Sequence, residues 1–150
     1  MRRRYKLIIA LVIIILSIPI YYFLVQPNNS RCIGNGRCFN SIITEIIDGD
    51  TFQIDTDERI RLTLVNTPEI DEKGYQEAKD FIALICPIGS KVAIDQDNNQ
   101  YSYDRIVALV YCNEKNVNEE LLKNNLAVIM TDFCSKSEFA NELWAKKYGC

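Results

Sequence analysis

The stretch IRLTLVNTPE, residues 60–69, places a cation, a hydroxyl and a carboxylate within ten residues. Arg61 lies in a run that alternates apolar and polar residues, as a half-buried strand does. The strand ends at Pro68, whose fixed φ stiffens a turn that also carries Thr67 and Glu69. A cation on an inner strand is costly unless an anion meets it. Arg61 therefore requires either a structural salt bridge or an anionic ligand.

Two further segments place charged residues between apolar runs. In IIDGDTF, Asp48 and Asp50 flank a glycine, so both carboxylates can face one side of a tight turn. Hard cations such as Ca²⁺ take several oxygen ligands of this kind, although a solvated Asp-Gly hairpin gives the same pattern. In YSYDRIVALVY, Arg105 opens a strand beside Tyr103.

These side chains together are sufficient for the hydrolysis of a phosphodiester. A divalent cation can neutralise the phosphate and position water, and Glu69 can orient or deprotonate that water. The guanidiniums of Arg61 and Arg105 can hold phosphate oxygens as charge builds in the transition state. The chain has no histidine, which excludes nuclease and esterase mechanisms that depend on one.

The elements that must hold these groups follow from hydrophobic periodicity and turn residues. Residues 41–65 predict three short antiparallel strands, YQEAKDFIALIC predicts a helix, and KVAID and RIVALVYC predict two more strands. NEELLKNNLAVI and SEFANELWAKK predict two further helices, the last one capped by Ser135 or Ser137. Five strands with a helix between the third and the fourth match an OB-fold, a five-stranded antiparallel β-barrel, here with three helices. An α+β sandwich fits the pattern as well.

The first 26 residues differ from the rest of the chain. Four basic residues precede LIIALVIIILSIPIYYFLV, a run of 19 residues without a charge, close to the roughly 20 that a membrane-spanning helix needs. The basic flank predicts a single-pass anchor in the cell membrane, with its N-terminus cytoplasmic and the domain outside. A cleaved signal peptide is the rival interpretation and would make the domain secreted. We predict an anchor at 1–26, a linker at 27–40 and one domain at 41–150.

Charge and cysteine content limit the functions that the outward-facing part of the chain can have. It carries 13 basic and 20 acidic side chains, a formal charge of −7, which argues against a general nucleic-acid coat protein. Six cysteines predict up to three disulfides, and a zinc site is a weaker alternative because there is no Cys-x-x-Cys and no histidine. Fifteen pairings are open. One set that suits the predicted elements is Cys32 with Cys38, Cys86 with Cys112, and Cys134 with Cys150.

The segments IDGDTF, RLTLVNTPE, DRIVALVY and VNEELL resemble the staphylococcal-nuclease-like, or thermonuclease (micrococcal nuclease), family in order and approximate spacing. The resemblance covers residues 41–129 and extends to the last predicted helix. Such proteins are OB-fold enzymes that use Ca²⁺ to cleave DNA and RNA, leaving 3′-phosphate ends. The resemblance therefore implies a calcium-dependent endonuclease acting on single-stranded DNA and RNA, and we expect it to be a monomer.

The resemblance also implies a role for each candidate residue. The implied roles are calcium binding by Asp50 and the Thr67 carbonyl, with Asp48 just outside the ion's ligands; water activation by Glu69; phosphate binding by Arg61 and Arg105; and nucleotide binding by Tyr103.

The chain departs from the family pattern at three places. Asn66 stands where the best-known members have a calcium-binding aspartate; its amide oxygen can still bind, and because charge tunes affinity we expect a weaker calcium site. The loop after Pro68 is short and acidic, which predicts weaker binding of long duplex DNA. The expected base-stacking tyrosines are replaced by Thr131 and Phe133, of which Phe133 can still stack on a base.

Two other functions remain open from the sequence. One is a catalytically weak or inactive OB-fold module that binds oligonucleotides or a protein partner, which the acidic charge and Asn66 support. The other is a small structural domain held by its disulfides, which leaves Arg61 and Arg105 without a role.

Overall fold

The computed structural model describes residues 32–150. This part of the chain contains eight β-strands, three α-helices and two short 3₁₀ helices. In chain order the strands and α-helices are β1 (Cys38–Ile46), β2 (Thr51–Ile54), β3 (Arg59–Leu62), β4 (Val65–Asn66), α1 (Tyr75–Ile85), β5 (Lys91–Ser102), β6 (Arg105–Cys112), β7 (Lys115–Asn116), α2 (Val117–Lys123), β8 (Val128–Ile129) and α3 (Leu143–Tyr148). The 3₁₀ helices cover Thr131–Phe133 and Glu138–Asn141.

Strands β1, β2, β3, β5 and β6 form a barrel of the OB type. Strand β1 pairs antiparallel with β2 and β5, β2 with β3, and β5 with β6. The barrel closes where β3 runs parallel to β6, with Arg59 opposite Arg105 and Leu62 opposite Ala108. The prediction of a wholly antiparallel barrel was therefore wrong in the closing pair. Alternation along a strand reports which face is buried and carries no information on the direction of the partner.

The apolar face of each barrel strand supplies the core. Phe52, Ile54 and Ile60 are almost fully buried, and α1 contributes its buried residue Ile82 to the same core. Burying a large apolar side chain contributes about 1.5–3 kcal/mol. The barrel is therefore a firm frame for polar groups placed at its strand ends and turns.

Three disulfides brace this frame, and they are the predicted set: Cys32–Cys38, Cys86–Cys112 and Cys134–Cys150. None of the cysteines within residues 32–150 is free, so the zinc alternative was wrong. Cys86 directly follows α1 and Cys112 ends β6. This bond therefore ties the helix to the barrel.

Two barrel strands, β1 and β5, are longer than the sequence pattern suggested. Strand β1 begins at Cys38, three residues before the predicted start, because residues 38–40 continue the ladder with β5. Strand β5 runs on to Ser102, with an irregular register between Gln96 and Tyr101. The irregular part reads as a polar loop in the sequence.

The predicted last helix is divided. Ser137 caps the 3₁₀ helix Glu138–Asn141, and α3 begins only after an extended residue, Glu142. Phe139 and Trp144 are both buried, yet residues five apart on one α-helix point about 140° away from each other. The break allows both side chains to reach the core.

The predicted membrane anchor lies outside the described residues. From residue 32 to residue 150, no helix is both long enough and apolar enough to span a bilayer.

Candidate active site

The structure brings the predicted site residues together in one cavity of about 350 Å³. They come from the turn after β1, from β3, from β4 and the segment after it, from the start of β6 and the turn before it, and from the first 3₁₀ helix. Eight of the nine line the cavity: Asp48, Asp50, Arg61, Asn66, Glu69, Tyr103, Arg105 and Phe133. The ninth, Thr67, is buried and bonds directly to Asp50.

The turn between β1 and β2 is packed against α1. Gly49 is buried, and a Cβ at this position would lie 2.6 Å from the Cβ of Ala78 and 2.9 Å from that of Thr67. Asp50 is only 5% exposed. The alternative of two solvated carboxylates was therefore wrong for Asp50, whereas Asp48 is half-buried. A glycine is needed at position 49 for the helix to approach the turn.

Every oxygen of the Asp50 carboxylate is engaged. Its Oδ2 accepts hydrogen bonds from the Thr67 backbone N–H at 2.8 Å and from the Thr67 hydroxyl at 3.0 Å. Its Oδ1 lies 3.1 Å from Arg61 Nε and accepts from the Thr51 hydroxyl at 3.2 Å. Burial raises the pKa of Asp50 above its ordinary value, while Arg61 and the Thr67 N–H act in the opposite direction.

The chain folds around the guanidinium of Arg61. The predicted strand ends early, and Leu64 adopts a left-handed φ of 59°. The carbonyl oxygens of Leu62 and Val65 consequently both accept hydrogen bonds from Nη1, each at 2.7 Å. Nη2 donates to Asn66 Oδ1 at 3.0 Å. Arg61 thus has the structural salt bridge that the sequence allowed, and it also borders the cavity.

The charges around the cavity act on one another. Burial lowers the pKa of Arg61, and the charge of Asp50 raises it. Weaker effects on the same pKa come from Arg105, which lowers it, and from Asp48 and Glu69, which raise it. These five groups therefore form one electrostatic cluster with both signs of charge.

Glu69 lies at the exposed rim of the cavity. Its backbone N–H donates to Glu72 Oε2 at 2.8 Å, and its carbonyl accepts from the Glu72 N–H at 2.9 Å. This closed turn fixes the backbone of Glu69 while its carboxylate faces a solvent-accessible space. Such a carboxylate is placed to accept a proton from a water molecule.

Arg105 and Tyr103 form the opposite part of the site. Arg105 donates from Nε to the Ser102 carbonyl at 3.0 Å and from Nη1 to the Thr51 hydroxyl at 3.3 Å. Its guanidinium carbon lies 5.9 Å from the centre of the Tyr103 ring. Tyr103 is 92% exposed, so its ring offers a face to a planar ligand.

The donor atoms suit a hard cation. The carboxylates of Asp48 and Asp50 and the amide oxygen of Asn66 border one space, and Ca²⁺ accepts carboxylate, amide, carbonyl and water oxygens together. No three His, Cys, Asp or Glu side chains in the described range gather closely enough to hold a metal on their own. A cation here would therefore need neutral oxygens as well, and would share Asp50 and Asn66 with Arg61.

The cavity has a further wall with a buried carboxylate that the sequence reasoning missed. Asp97 lines it and is 1% exposed. Its Oδ2 accepts from the Thr63 hydroxyl, and its Oδ1 accepts from the Glu138 N–H at 3.0 Å. Asp97 belongs to DQDNNQ, which carries no apolar alternation, so the only available signal was its distance of two residues from Asp95 beyond KVAID. Phe133, on the same wall, is 41% exposed.

The barrel and the charged cavity define a nuclease-type domain. Residues 59–147 match the model of the staphylococcal nuclease homologue family, and the chain belongs to that family. Over 60 residues the chain is 42% identical to the uncharacterized lipoprotein MG186 of Mycoplasma genitalium, strain G37. That alignment covers 40% of this chain and 24% of the relative, so the chain matches about a quarter of the relative's length.

Proposed function

We propose that the chain is a Ca²⁺-dependent endonuclease that hydrolyses single-stranded DNA and RNA and leaves 3′-phosphate ends. The observation that carries this proposal is the meeting of Glu69, Arg61 and Arg105 with the carboxylates of Asp48 and Asp50 in one open cavity. Family membership agrees with this class of chemistry.

In this proposal each side chain has one task. Glu69 accepts a proton from the attacking water, whose oxygen forms a new bond to phosphorus while the bond to the 5′ oxygen breaks. Arg61 and Arg105 donate to the non-bridging oxygens as their negative charge increases. The departing 5′ oxygen takes a proton from solvent water in the open cavity and leaves as a hydroxyl, and the phosphate stays on the 3′ oxygen.

Asp50, Asn66 and the Thr67 carbonyl would hold Ca²⁺, with Asp48 just outside its ligands. When bound, the ion supplies positive charge that neutralises the phosphate and orients water. Tyr103 and Phe133 would hold the nucleotide through their exposed rings. An open cavity with exposed aromatic side chains fits an unpaired strand, and the acidic loop after Pro68 is unfavourable to long duplex DNA.

We further propose that the domain acts as a monomer at the outer face of the cell membrane. The apolar segment of residues 7–25 and its basic flank support this location, and the relative in Mycoplasma genitalium is described as a lipoprotein. A secreted form is the alternative if the segment is cleaved.

A catalytically inactive module that binds oligonucleotides is the second candidate. It is favoured by one observation: all three guanidinium nitrogens of Arg61 have partners within the protein. In a binding module that arrangement would be permanent, whereas in the enzyme the Nη2 donor must turn from Asn66 to the phosphate.

The test is cleavage of a fluorescent single-stranded oligonucleotide by the full chain, produced under oxidising conditions in mild detergent. We expect cleavage with Ca²⁺, none with chelator, and a loss of about 10²–10⁴-fold in kcat for Glu69→Gln. Glu77→Gln, an exposed glutamate of α1 outside the cavity, is the matched control. Calcium-dependent binding without turnover would favour the binding module, and undiminished cleavage by Glu69→Gln would contradict the assigned base.

A further inference from the structure

The loop closed by Cys32 and Cys38 is docked on the barrel through its backbone. Asp95 Oδ2 accepts hydrogen bonds from the N–H groups of Ile33 at 2.7 Å and Gly34 at 2.9 Å. Asp95 is only 1% exposed. A buried carboxylate that accepts two backbone donors makes strong, charge-assisted hydrogen bonds.

Glu138, in the second 3₁₀ helix, joins this loop to β5. Its Oε2 accepts from the backbone N–H of Asn35 at 2.6 Å and from the Asn35 side chain at 3.1 Å. Its Oε1 accepts from the Asn98 N–H at 2.8 Å, and its own N–H donates to Asp97. Burial raises the pKa of Glu138, but the hydrogen bonds from the backbone N–H groups of Asn35, Asn98 and Gly36 and from the Asn35 side chain together outweigh burial, and the pKa is lowered.

Both glycines of CIGNGRC are needed for this docking. A Cβ on Gly34 would lie 2.8 Å from Glu138 Oε1 and 2.9 Å from Phe139 Cζ. A Cβ on Gly36 would lie 1.9 Å from the backbone oxygen of Gln96. The loop is therefore shaped to lie against β5 and the second 3₁₀ helix.

Two segments next to Glu138 form a wall of the cavity: one contains its partners Asp97 and Asn98, and the other directly precedes it in the chain. We call residues 97–101 and 133–137 the aromatic wall, because they carry the exposed rings of Tyr101 and Phe133. The two halves of the wall also bond directly, since the Asn98 side chain donates to the Lys136 carbonyl at 3.0 Å. Glu138 itself does not line the cavity.

We propose that Glu138 is a positioning residue that uses the Cys32–Cys38 loop to hold the aromatic wall in place for a single-stranded substrate. The inference rests on the proposed function for its substrate class. Bases stack on aromatic side chains without sequence preference, and rings that are already ordered lower the entropy cost of binding. None of the hydrogen bonds of Glu138 involves Asp50, Arg61 or Glu69. Its loss should therefore weaken substrate binding and leave the chemical step intact.

The test measures binding separately from cleavage. In the full chain carrying Glu69→Gln, which blocks turnover, the Kd for a fluorescent single-stranded oligonucleotide is measured by anisotropy with Ca²⁺ present. Adding Glu138→Gln should raise this Kd roughly tenfold, because an amide group would then face one of the backbone donors. Glu142→Gln removes the same charge four residues later, outside the cavity, and should leave Kd unchanged.

A second variant tests the contact between Glu138 and the loop by changing the loop instead of Glu138. Replacing Cys32 and Cys38 by serine should also raise Kd, and Glu138→Gln should then add less than its own effect, because both changes act on one contact. In the catalytically intact chain, Glu138→Gln should raise KM about tenfold and change kcat less than twofold.

The outcomes separate this inference from the proposed function. A chain that binds oligonucleotide with a Glu138-dependent Kd but never cleaves contradicts the nuclease and supports the positioning role. A chain that cleaves while Glu138→Gln leaves Kd and KM unchanged, or lowers kcat alone, overturns the positioning role. Absence of oligonucleotide binding in the Glu69→Gln chain overturns it as well.

Discussion

Replacing Arg61 with glutamine tests whether this side chain holds the site together before any substrate binds. Arg61 is 9% exposed and its ion-pair partner Asp50 is 5% exposed. The change removes the cation 3.1 Å from Asp50 Oδ1 and the donor that the carbonyls of Leu62 and Val65 share. Three buried acceptors then lose charged donors, and a glutamine amide is too short to replace them all.

The magnitude follows from the burial of this pair. Removing one partner of a buried ion pair costs about 3–5 kcal/mol, because the other charge stays buried without compensation. That is a large share of the roughly 5–15 kcal/mol by which a domain is stable. Arg59→Gln, at an exposed position of the same strand, is the matched control and should change the unfolding free energy by at most about 0.5 kcal/mol.

The assay is urea unfolding of the full chain in the presence of chelator, followed by far-UV circular dichroism. The pKa of Asp50 is raised above its ordinary value of 3.8, so its contribution to stability is full below that value and is lost as the pH rises through the folded-state pKa. Without Arg61 the raised pKa moves further upward, so the deficit of Arg61→Gln should grow from acidic to neutral pH. The reasoning would be refuted if Arg61→Gln lowered the unfolding free energy at neutral pH by less than about 1 kcal/mol, or by no more than Arg59→Gln does.

Three other outcomes are expected. Asn66→Asp should lower the Kd for Ca²⁺ roughly tenfold by calorimetric titration, since it adds a charge to an oxygen ligand; an unchanged Kd would mean that Asn66 does not contact the ion. Phe133→Ala should raise KM for a single-stranded oligonucleotide about tenfold in steady-state kinetics, because base stacking contributes about 1–3 kcal/mol; an unchanged KM would remove Phe133 from the substrate site. Replacing Cys86 and Cys112 by serine should lower the unfolding free energy by about 2–4 kcal/mol in urea titrations, because the bond spans 26 residues. A smaller loss would mean that the unfolded chain is already constrained without this bond.

The sequence was sufficient wherever local pattern and long-range contact agree. Strands β2 and β6 and helix α1 have strong periodicity and clear turn residues, and their predicted bounds are close to those observed. Arg61 was singled out because a cation on an apolar strand requires an anion, and Asp50 meets it. The disulfide set that suited the predicted elements, one of fifteen possible pairings, is the one observed.

Features that depend on distant contacts could not be predicted. The turn at Leu64 breaks a strand pattern because Arg61 needs the carbonyls on either side of that turn. The parallel pairing of β3 with β6 is a property of barrel closure. Asp97 lies in a polar stretch without periodicity, and Glu138 lies 41 residues later in a predicted helix, so nothing local indicated that they meet.

The purely structural interpretation of this domain faces a physical difficulty. A buried ion pair is weak evidence for stability, because well-packed apolar residues of similar volume often stabilise a protein as much or more. Asp50 and Arg61 form such a pair beside an open cavity that also contains Glu69 and Arg105. A barrel selected only for stability would gain by replacing the pair and filling the space. The combination of a costly pair, a second guanidinium and an accessible carboxylate is better explained by a ligand with phosphate charge, which is the reason we favour the nuclease over a disulfide-held structural domain.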